Sequence, residues 1–317
     1  MSRVGWLLAA SLFASAGMPA VAQTYPAKPV RVIIPWPAGG LTDVAGRIVL
    51  QKMGESLGQS FVVDNRGGAT GTIGSDLVAK SPPDGYTLMV HSTSHVANAH
   101  LYKQLPYDTL KDFTPIGLLV AQTGLLVVHP SLPARSVKEL VALARARPDQ
   151  VLYASSGAGS FSHLAVALLT SMTDTRMLHV PYKGGGPATT ALVSGETQFL
   201  VGSPAAVLPQ LKSGRLRLLA VTSDTRLPQF PQTPTVAEAG VPGYEFRAWV
   251  ALFGPAGLGK PIVDKLNAEI KKVLDSPDSR LEAFEPWYMT PGETAARIKA
   301  DYEKYGRLIK MTGVRPE

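Results

Sequence analysis

The sequence predicts an α/β fold with mostly parallel sheets, and three observations indicate this class. Short apolar runs, typical of strands buried on both faces, alternate with segments whose apolar residues recur at the spacing of an amphipathic helix. Hydrophobic residues make up 45% of the 317 residues, enough for packed cores. Beyond its first 22 residues, the chain has the length of two ordinary domains or of one large one.

The first segment has the pattern of a secretory signal peptide. Arg3 is its only charge, residues 6–16 are apolar, and residues 20–22 fit the small-residue cleavage pattern. The apolar run is shorter than the roughly 20 residues that a spanning helix needs. We expect cleavage after Ala22 and a soluble protein in the periplasm. An uncleaved N-terminal anchor is the alternative.

The elements follow from the apolar pattern. Buried strands are predicted at residues 30–34, 61–63, 88–90, 116–120, 125–128, 151–154, 178–180, 199–201, 216–221 and 250–253. Helices are predicted at residues 45–53, 73–79, 137–144 and 164–170. At the C-terminal end, two amphipathic helices at 260–274 and 294–310 have no obvious strand between them. We expect these two helices to pack on a face of the first domain.

Charge and cysteine content restrict the function. The formal net charge is +7, or +6 without Arg3, which mildly favours anionic small molecules or membrane surfaces. The cationic residues form pairs rather than tracts, so a nucleic-acid partner is not expected. The chain has no cysteine, which excludes a lipoprotein anchor, disulfides and thiolate catalysis.

A strand leading into a double-glycine turn and a helix is the first candidate site. The turn is Gly39-Gly40, with Thr42 and Asp43 beside it. Glycine lets a ligand approach the main chain, and a helix start favours an anion. A tight turn without a ligand is the alternative. Asp43 would repel an anion, so we expect it to occupy the first helical turn after an N-cap at Thr42, or to receive a ligand ammonium or hydroxyl.

Three further loops follow predicted strands, at the sheet edge where open α/β folds bind ligands. They are residues 64–74, 91–95 and 154–163. The last has the strongest physical case, because Ser155, Ser156 and Ser160 supply hydroxyls while Gly157 and Gly159 allow close approach. Ser160 or Ser162 is also expected to cap the next helix, and caps and turns alone would explain the serines.

A glycine-rich segment at 179–187 is a weaker candidate. No Gly-Lys-Ser/Thr follows its three glycines, so it is not a P-loop. Lys183 could reach a cleft, but we favour a solvated lysine.

Most sequence motifs that would indicate an enzyme are absent or incomplete. Gly-x-Ser-x-Gly is absent, and Gly157-Ala-Gly159 lacks the third glycine of a dinucleotide fingerprint. His91 and His95 have no acidic residue nearby in sequence, so neither a metal nor another cofactor is expected. His163 could serve as a base for Ser160, but the chain shows no evident acidic orienter.

Together the ordered motifs of this chain resemble the Bug family, the substrate-binding proteins of tripartite tricarboxylate transporters. Each motif is weak alone, but their order and spacing are specific. They are Tyr25-Pro-Ala-Lys-Pro29, residues 35–47, Asp64-Asn-Arg66, residues 83–88 and 107–116, Tyr153-Ala-Ser-Ser-Gly-Ala-Gly-Ser160, residues 179–184 and 219–222, and Pro234-Thr-Val-Ala-Glu-Ala-Gly240.

This resemblance implies a two-domain periplasmic binding protein of type II, a Venus flytrap with mixed or parallel sheets flanked by helices. It also guides the domain division: domain one at 23–122 plus 227–317, and domain two inserted at 123–226. Family members bind di- and tricarboxylates, acidic amino acids or aromatic acids. The ligand residues carried over to this chain are Gly39, Gly40, Thr42, Asp43, Ser92, His95, Ser155, Ser156, Gly157, Gly159 and Ser160.

Some positions depart from the family pattern. Gly67-Gly68 stands where Pro-Gly is common, and Gly202-Ser203 stands where an Asp is common, which disfavours a ligand amine. Residues 284–288 replace a small-residue turn and leave the local structure there open.

The resulting hypothesis is a non-enzymatic, monomeric receptor that passes a small carboxylate to a membrane permease. The alternatives are a carboxylate sensor that acts through a membrane receptor, and a periplasmic hydrolase that uses Ser160 and His163.

Overall fold

The computed structural model describes residues 25–36, 38–39, 41–182, 184–276 and 284–313. The expected signal peptide and its cleavage site lie outside the described residues, as do Gly40 and Lys183.

The described chain forms strands and helices in alternation for most of its length. The strands are β1 (Val30–Ile34), β2 (Phe61–Asn65), β3 (Thr87–Ser92), β4 (Phe113–Thr123), β5 (Leu125–Val128), β6 (Leu152–Ser155), β7 (Leu178–Pro181), β8 (Phe199–Gly202), β9 (Arg217–Val221), β10 (Arg247–Pro255) and β11 (Glu285–Pro286). The helices are α1 (Leu41–Leu57), α2 (Thr72–Ala79), α3 (Ser94–Leu101), α4 (Val137–Ala146), α5 (Phe161–Thr173), α6 (Gly185–Val193), α7 (Pro204–Lys212), α8 (Lys260–Asp275) and α9 (Pro291–Thr312).

The strands form two mixed sheets, which confirms the predicted fold class. The first has the order β11-β4-β10-β3-β1-β2 and the second β7-β6-β8-β5-β9. We call the elements around the first sheet lobe one and those around the second sheet lobe two.

The expectation of mostly parallel pairing is only partly correct. β1 runs parallel to β2 and β3, and β6 runs parallel to β7 and β8. β10 is antiparallel to both β3 and β4, and β5 is antiparallel to β8 and β9. A continuous apolar run indicates that a strand is buried on both faces. Because burial does not depend on strand direction, such runs cannot distinguish parallel from antiparallel pairing.

Several elements lie outside the segments predicted from the sequence, among them α3, α6, α7 and β11. α3 and α7 carry weak apolar patterns, and α7 contains Pro209. The predicted loop at 91–95 is therefore the end of β3 followed by the start of α3. The two-residue strand β11 lies between the C-terminal helices, where no strand was expected, because two residues carry no periodicity.

The C-terminal helices cover more than one face. α8 packs on α1 and β4, as expected for lobe one, whereas α9 packs on α3 and β4 and also on α5 of lobe two. Aromatic contacts continue across this junction, since the ring of Phe246 lies 5.2 Å from Phe161 and 5.5 Å from Tyr305. The core of lobe one is thus continuous with that of lobe two.

The chain passes from β4 to β5 through Gly124, and it returns to lobe one at β10. The segment before β10 packs on lobe two: Val236 N–H donates to Val221 O, and the Tyr244 hydroxyl donates to Ala165 O. These contacts favour a return near residue 246 over one near 226. The division into domains stays a prediction.

Among the described helices, none combines the length and the apolar character needed to cross a bilayer.

Candidate functional site

A cavity of about 700 Å³ lies between the lobes and is the strongest candidate site. Its described lining carries no charged side chain: Trp36, Thr70, Thr93, Ser94, Ala97, Asn98, Leu101, Tyr102 and Tyr305 come from lobe one and α9, and Ser156, Ala158, Gly159, Ser160 and Phe161 come from lobe two. A polar molecule bound here would be held by hydroxyls, amides and aromatic edges rather than by ion pairs.

Two helices begin at this cavity from opposite lobes. α3 starts at Ser94 after the N-cap Thr93, whose side chain makes no capping hydrogen bond. α5 starts at Phe161 after the N-cap Ser160, which accepts the N–H of His163 at 3.4 Å. The first N–H groups of a helix have no partner within it and carry partial positive charge. Two helix starts facing one neutral cavity favour an anion.

The glycine turn after β1 is held by Asp43 rather than left open. Asp43 Oδ2 accepts the N–H of Gly39 at 2.9 Å, and Oδ1 accepts from Arg47 Nε and Asn65 Nδ2, each at 2.9 Å. Asn65 Nδ2 also donates to Trp36 O at 2.9 Å. The carboxylate therefore fixes the segment that carries Trp36, and the Gly39 N–H already has a partner.

Asp43 is 3% exposed and lies in the first turn of α1. Burial pushes the pKa of its carboxyl upward, but the hydrogen bonds from Gly39, Asn65 and Arg47 outweigh burial and hold the pKa below its usual value. The expected N-cap at Thr42 is wrong, because α1 already begins at Leu41. Gly39, Thr42 and Asp43 do not appear among the described residues that line the cavity.

The serine loop of lobe two is ordered by its own hydroxyls. Ser155 Oγ donates to Gly157 O at 3.1 Å, and Ser160 Oγ donates to the same carbonyl at 2.6 Å. Ser156 Oγ lies 3.0 Å from Ser162 Oγ. Ser156, Gly159 and Ser160 line the cavity, while Ser155 lines a smaller neighbouring one of about 210 Å³. Gly157 adopts φ +130.

Two stacked imidazoles support this loop from behind. The rings of His163 and His179 lie 3.9 Å apart and nearly parallel. His163 Nδ1 accepts the N–H of Gly159 at 3.0 Å, and His179 Nε2 is hydrogen-bonded to Ser155 Oγ at 2.6 Å. Each ring thus positions one end of the loop at 155–160.

Burial lowers the pKa of five histidines, most strongly those of His91, His95 and His163, and we expect stability to fall on acidification. Burial, helped by the neighbouring His179, lowers the pKa of His163 to about 4; burial alone also brings that of His95 to about 4. Burial, and then His95, lowers the pKa of His91 well below its usual value. Unfolded histidine titrates near about 6.5. Between that pH and about 4, these histidines are protonated in the unfolded chain but stay neutral in the folded chain. Acidification therefore favours the unfolded state.

Urea unfolding at pH 7.5 and 5.0 measures this effect. We expect a loss of roughly 1–2 kcal/mol at the lower pH for each of His95 and His163. The depressed pKa values of Asp43 and Asp64 act only below about pH 4, so they do not contribute in this window. His163→Gln should reduce the pH dependence, and equal stability at both pH values would contradict the assignment.

The remaining predicted ligand residues lie in two different settings. Ser92 ends β3, with its hydroxyl 3.4 Å from that of the cavity residue Ser94. His95 is fully buried in α3, its ring within 4.7 Å of Phe113 and 5.0 Å of Phe253. The structure does not bring His95 to the cavity lining, although a ligand contact there stays an untested prediction.

The geometry gives no support to a Ser160–His163 pair. Ser160 Oγ donates to Gly157 O, and His163 Nδ1 is occupied by the Gly159 N–H. Ser160 meets His163 through the backbone N–H of that residue, as a helix cap. In the described ranges, no three acidic or imidazole side chains cluster as metal ligands would.

The sequence predicted only part of the lobe-one wall: Thr70 lies in the candidate loop at 64–74, and Thr93 and Ser94 lie in the one at 91–95. Asn98 Nδ2 donates to Thr70 O at 2.9 Å, and Thr70 Oγ1 lies 2.9 Å from the Tyr102 hydroxyl. Trp36 and Tyr305 complete the wall. Trp36 stands within the quoted 35–47 motif, so its position could have been noticed. Asn98, Tyr102 and Tyr305 lie outside the predicted loops and carry no local signal, since long-range packing brings them to the cavity.

Three buried polar atoms on the wall of this cavity lack a hydrogen-bond partner in the geometry of the described chain. Trp36 Nε1, Asn98 Oδ1 and Tyr305 OH are buried without a hydrogen-bond partner, and all three belong to lining residues. The described linings of the three other main cavities contain no such atom. Buried polar atoms are usually paired, so these three atoms are available for hydrogen bonds to a bound molecule.

Comparison with known proteins finds a matching family and similar solved structures. The profile of the family described as "Tripartite tricarboxylate transporter family receptor" matches residues 45–314. Protein BugT of Bordetella pertussis is 37% identical over 311 residues, covering 95% of each chain.

Two solved structures extend the comparison. A Rhodopseudomonas palustris protein solved with adipate is 36% identical, with a TM-score of 0.74 over 92% of this chain and 100% of that one. MatC of the same organism, with bound malate, is 32% identical, with a TM-score of 0.70 over 90% of this chain and 100% of that one.

Proposed function

We propose that this chain, which belongs to the family of tripartite tricarboxylate transporter receptors, is a periplasmic solute-binding protein for a small organic carboxylate. In this proposal the acid binds in the cavity between the lobes and is delivered to a membrane permease. The observation that carries the proposal is the neutral cavity at which α3 and α5 begin from opposite lobes. Relatives solved with adipate and with malate support a dicarboxylate.

A ligand that touches both lobes would favour the closed arrangement by population shift. Hydroxyls and helix amides recognise a carboxylate through hydrogen bonds, without a neutralising side chain. The described lining also holds no carboxylate that would receive an ammonium group. We therefore expect acids without an amine to bind better than amino acids of the same length. No catalytic step is part of this proposal.

A thermal-shift screen of matched acids tests the proposal. The panel contains adipate, succinate, malate, citrate, nicotinate and aspartate. A ligand at 100 times its Kd should stabilise the folded chain by about 2.7 kcal/mol. That corresponds to a rise in Tm of several degrees for a chain of this size. Silence across the panel from a folded sample would overturn the proposal.

Delivery to a permease needs a separate measurement. Pull-down of the cognate membrane components with the loaded and the unloaded protein should show ligand-dependent capture. Ligand-dependent capture of a sensor kinase domain instead would favour the sensing alternative and contradict delivery.

A further inference from the structure

A single carboxylate connects both segments that join the lobes. Glu285 of β11 accepts the backbone N–H of Thr123 at 2.7 Å and the Thr123 hydroxyl at 2.8 Å. Thr123 is the last residue of β4, directly before Gly124. The same carboxylate accepts from Arg247 at 2.9 Å, and Arg247 is the first residue of β10. The outgoing and the returning segment therefore meet at one side chain.

The side chains that form this contact are partly buried, so we expect the contact to contribute to stability. The side chains of Arg247 and Glu285 are 13% and 20% exposed. Arg247 also lies 3.3 Å from Asp224, which follows β9 of lobe two and is 62% exposed. Partly buried, multiply hydrogen-bonded pairs contribute more than exposed ones. The pair to Glu285 is thus the strong one, and the pair across to Asp224 is the weak one.

An aromatic ring holds the arginine in place. The guanidinium groups of Arg247 and Arg297 lie 4.3 Å and 4.9 Å from the centre of the Trp287 ring. Trp287 N–H donates to Leu119 O at 3.2 Å, which continues the pairing of β11 with β4. Arg297 in turn pairs with Glu245 at 2.9 Å. The 284–288 segment, which departs from the family pattern, thus supplies both the carboxylate and the ring.

Beyond this clamp, the crossing itself has little freedom. Gly124 donates its N–H to Thr222 Oγ1 at 2.8 Å, and Thr222 N–H donates back to Gly124 O at 3.0 Å. A Cβ at Gly124 would lie 2.5 Å from Val201 Cγ1. The Phe246 N–H also donates to Thr222 O at 2.8 Å. Bending is therefore confined to the short stretches next to Gly124 and Phe246, provided that Thr123 and Arg247 stay fixed in the first sheet.

We propose that Glu285 is a positioning residue for ligand capture: it clamps the lobe-one ends of both crossing segments and so fixes the axis about which the lobes close. Its role in capture rests on the proposed function, but the clamp itself does not. When the closing axis is fixed, a larger fraction of the ligand-free protein has the arrangement that can bind. That fraction sets the apparent affinity.

The distance between the lobes tests the clamp without any ligand. The chain has no cysteine, so spin labels can be attached through Lys111→Cys in lobe one and Lys212→Cys in lobe two, both exposed positions. Glu285→Gln should broaden the distance distribution measured by double electron–electron resonance. Asp76→Asn is the matched control, because Asp76 is an ion-paired lobe-one carboxylate, 26% exposed, on α2. An unchanged distribution in folded Glu285→Gln overturns the clamp.

A second variant keeps the clamp testable if Glu285→Gln does not fold. Trp287→Leu leaves the carboxylate intact but removes the ring that both guanidinium groups contact, and it should also broaden the distribution. With adipate and malate as probes, we expect Glu285→Gln to raise Kd roughly three- to tenfold. If neither the panel nor these acids bind the wild-type chain, the proposed function fails while the ligand-free distances still decide the clamp. If Glu285→Gln binds these acids normally and its interlobe distances are unchanged, the clamp is overturned while the proposed function stands.

Discussion

Replacing Asp43 with asparagine should lower the free energy of unfolding by about 2–4 kcal/mol, because it removes a buried charge that satisfies three donors. The donors are Gly39 N–H, Arg47 Nε and Asn65 Nδ2. An asparagine has one oxygen, so its amide NH₂ would face at least one of these donors. We also expect acid affinity to fall at least about tenfold, since the segment with Trp36 loses its anchor.

Chemical unfolding and calorimetric titration with the best acid of the panel measure both effects. Asp64→Asn is the control, because Asp64 also pairs with two arginines but is 26% exposed. Such a surface change should cost less than about 1 kcal/mol. In the wild-type chain the contribution of Asp43 is present at neutral pH and is lost only as the pH falls below about 4 through its lowered pKa. Equal effects of the two substitutions would contradict the anchoring role.

Replacing Gly159 with leucine should abolish acid binding while the protein stays folded. Gly159 adopts φ +72, and a Cβ there would lie 3.2 Å from Leu101 Cδ2 of the opposite lobe. A leucine side chain would extend into the cavity at the place where the lobes approach. We expect a loss of affinity of at least about a hundredfold, equivalent to roughly 3 kcal/mol.

Gly195→Leu separates occlusion from backbone strain. Gly195 adopts φ +80 in lobe two, and a Cβ there meets nothing closer than 3.7 Å. Both substitutions carry the cost of a left-handed residue, about 1 kcal/mol or more. Only Gly159→Leu should remove binding in titration calorimetry. Loss of binding in both variants, or in neither, would contradict the placement of the acid in the cavity between the lobes.

The strand positions could be predicted because each strand contains a local apolar run. The predicted burial was wrong for β2 and β7, which are sheet-edge strands and only partly buried. All ten predicted runs lie within or overlap strands of the structure. The helix α3 could not be predicted, since the run Ser94–Leu101 has a weak apolar face and begins with a serine cluster typical of a loop. The apolar pattern also does not indicate strand direction. The apolar run of β10 is like those of the parallel strands, but β10 is antiparallel to β3 and β4.

The serine loop and the glycine turn show the same limit at the site. Ser156, Gly159 and Ser160 were chosen for their hydroxyls and backbone freedom, and the structure places them on the cavity wall. The pattern around Asp43 indicated a helix start but could not show that its carboxylate takes the Gly39 N–H. Asn65 stood within a quoted motif, yet its bond to Asp43 spans 22 positions of the chain.

The sequence by itself determined the fold class, the family resemblance and the loops rich in glycine and serine, because these features depend on residues close together in the chain. Only the tertiary structure decided which helix starts face one another, that Trp36, Asn98 and Tyr305 share one cavity, and that Glu285 joins Thr123 to Arg247. Glu285 and Thr123 are 162 residues apart. The physical reason is that such contacts form only after the strands pair and the helices pack, and no local period encodes that long-range pairing.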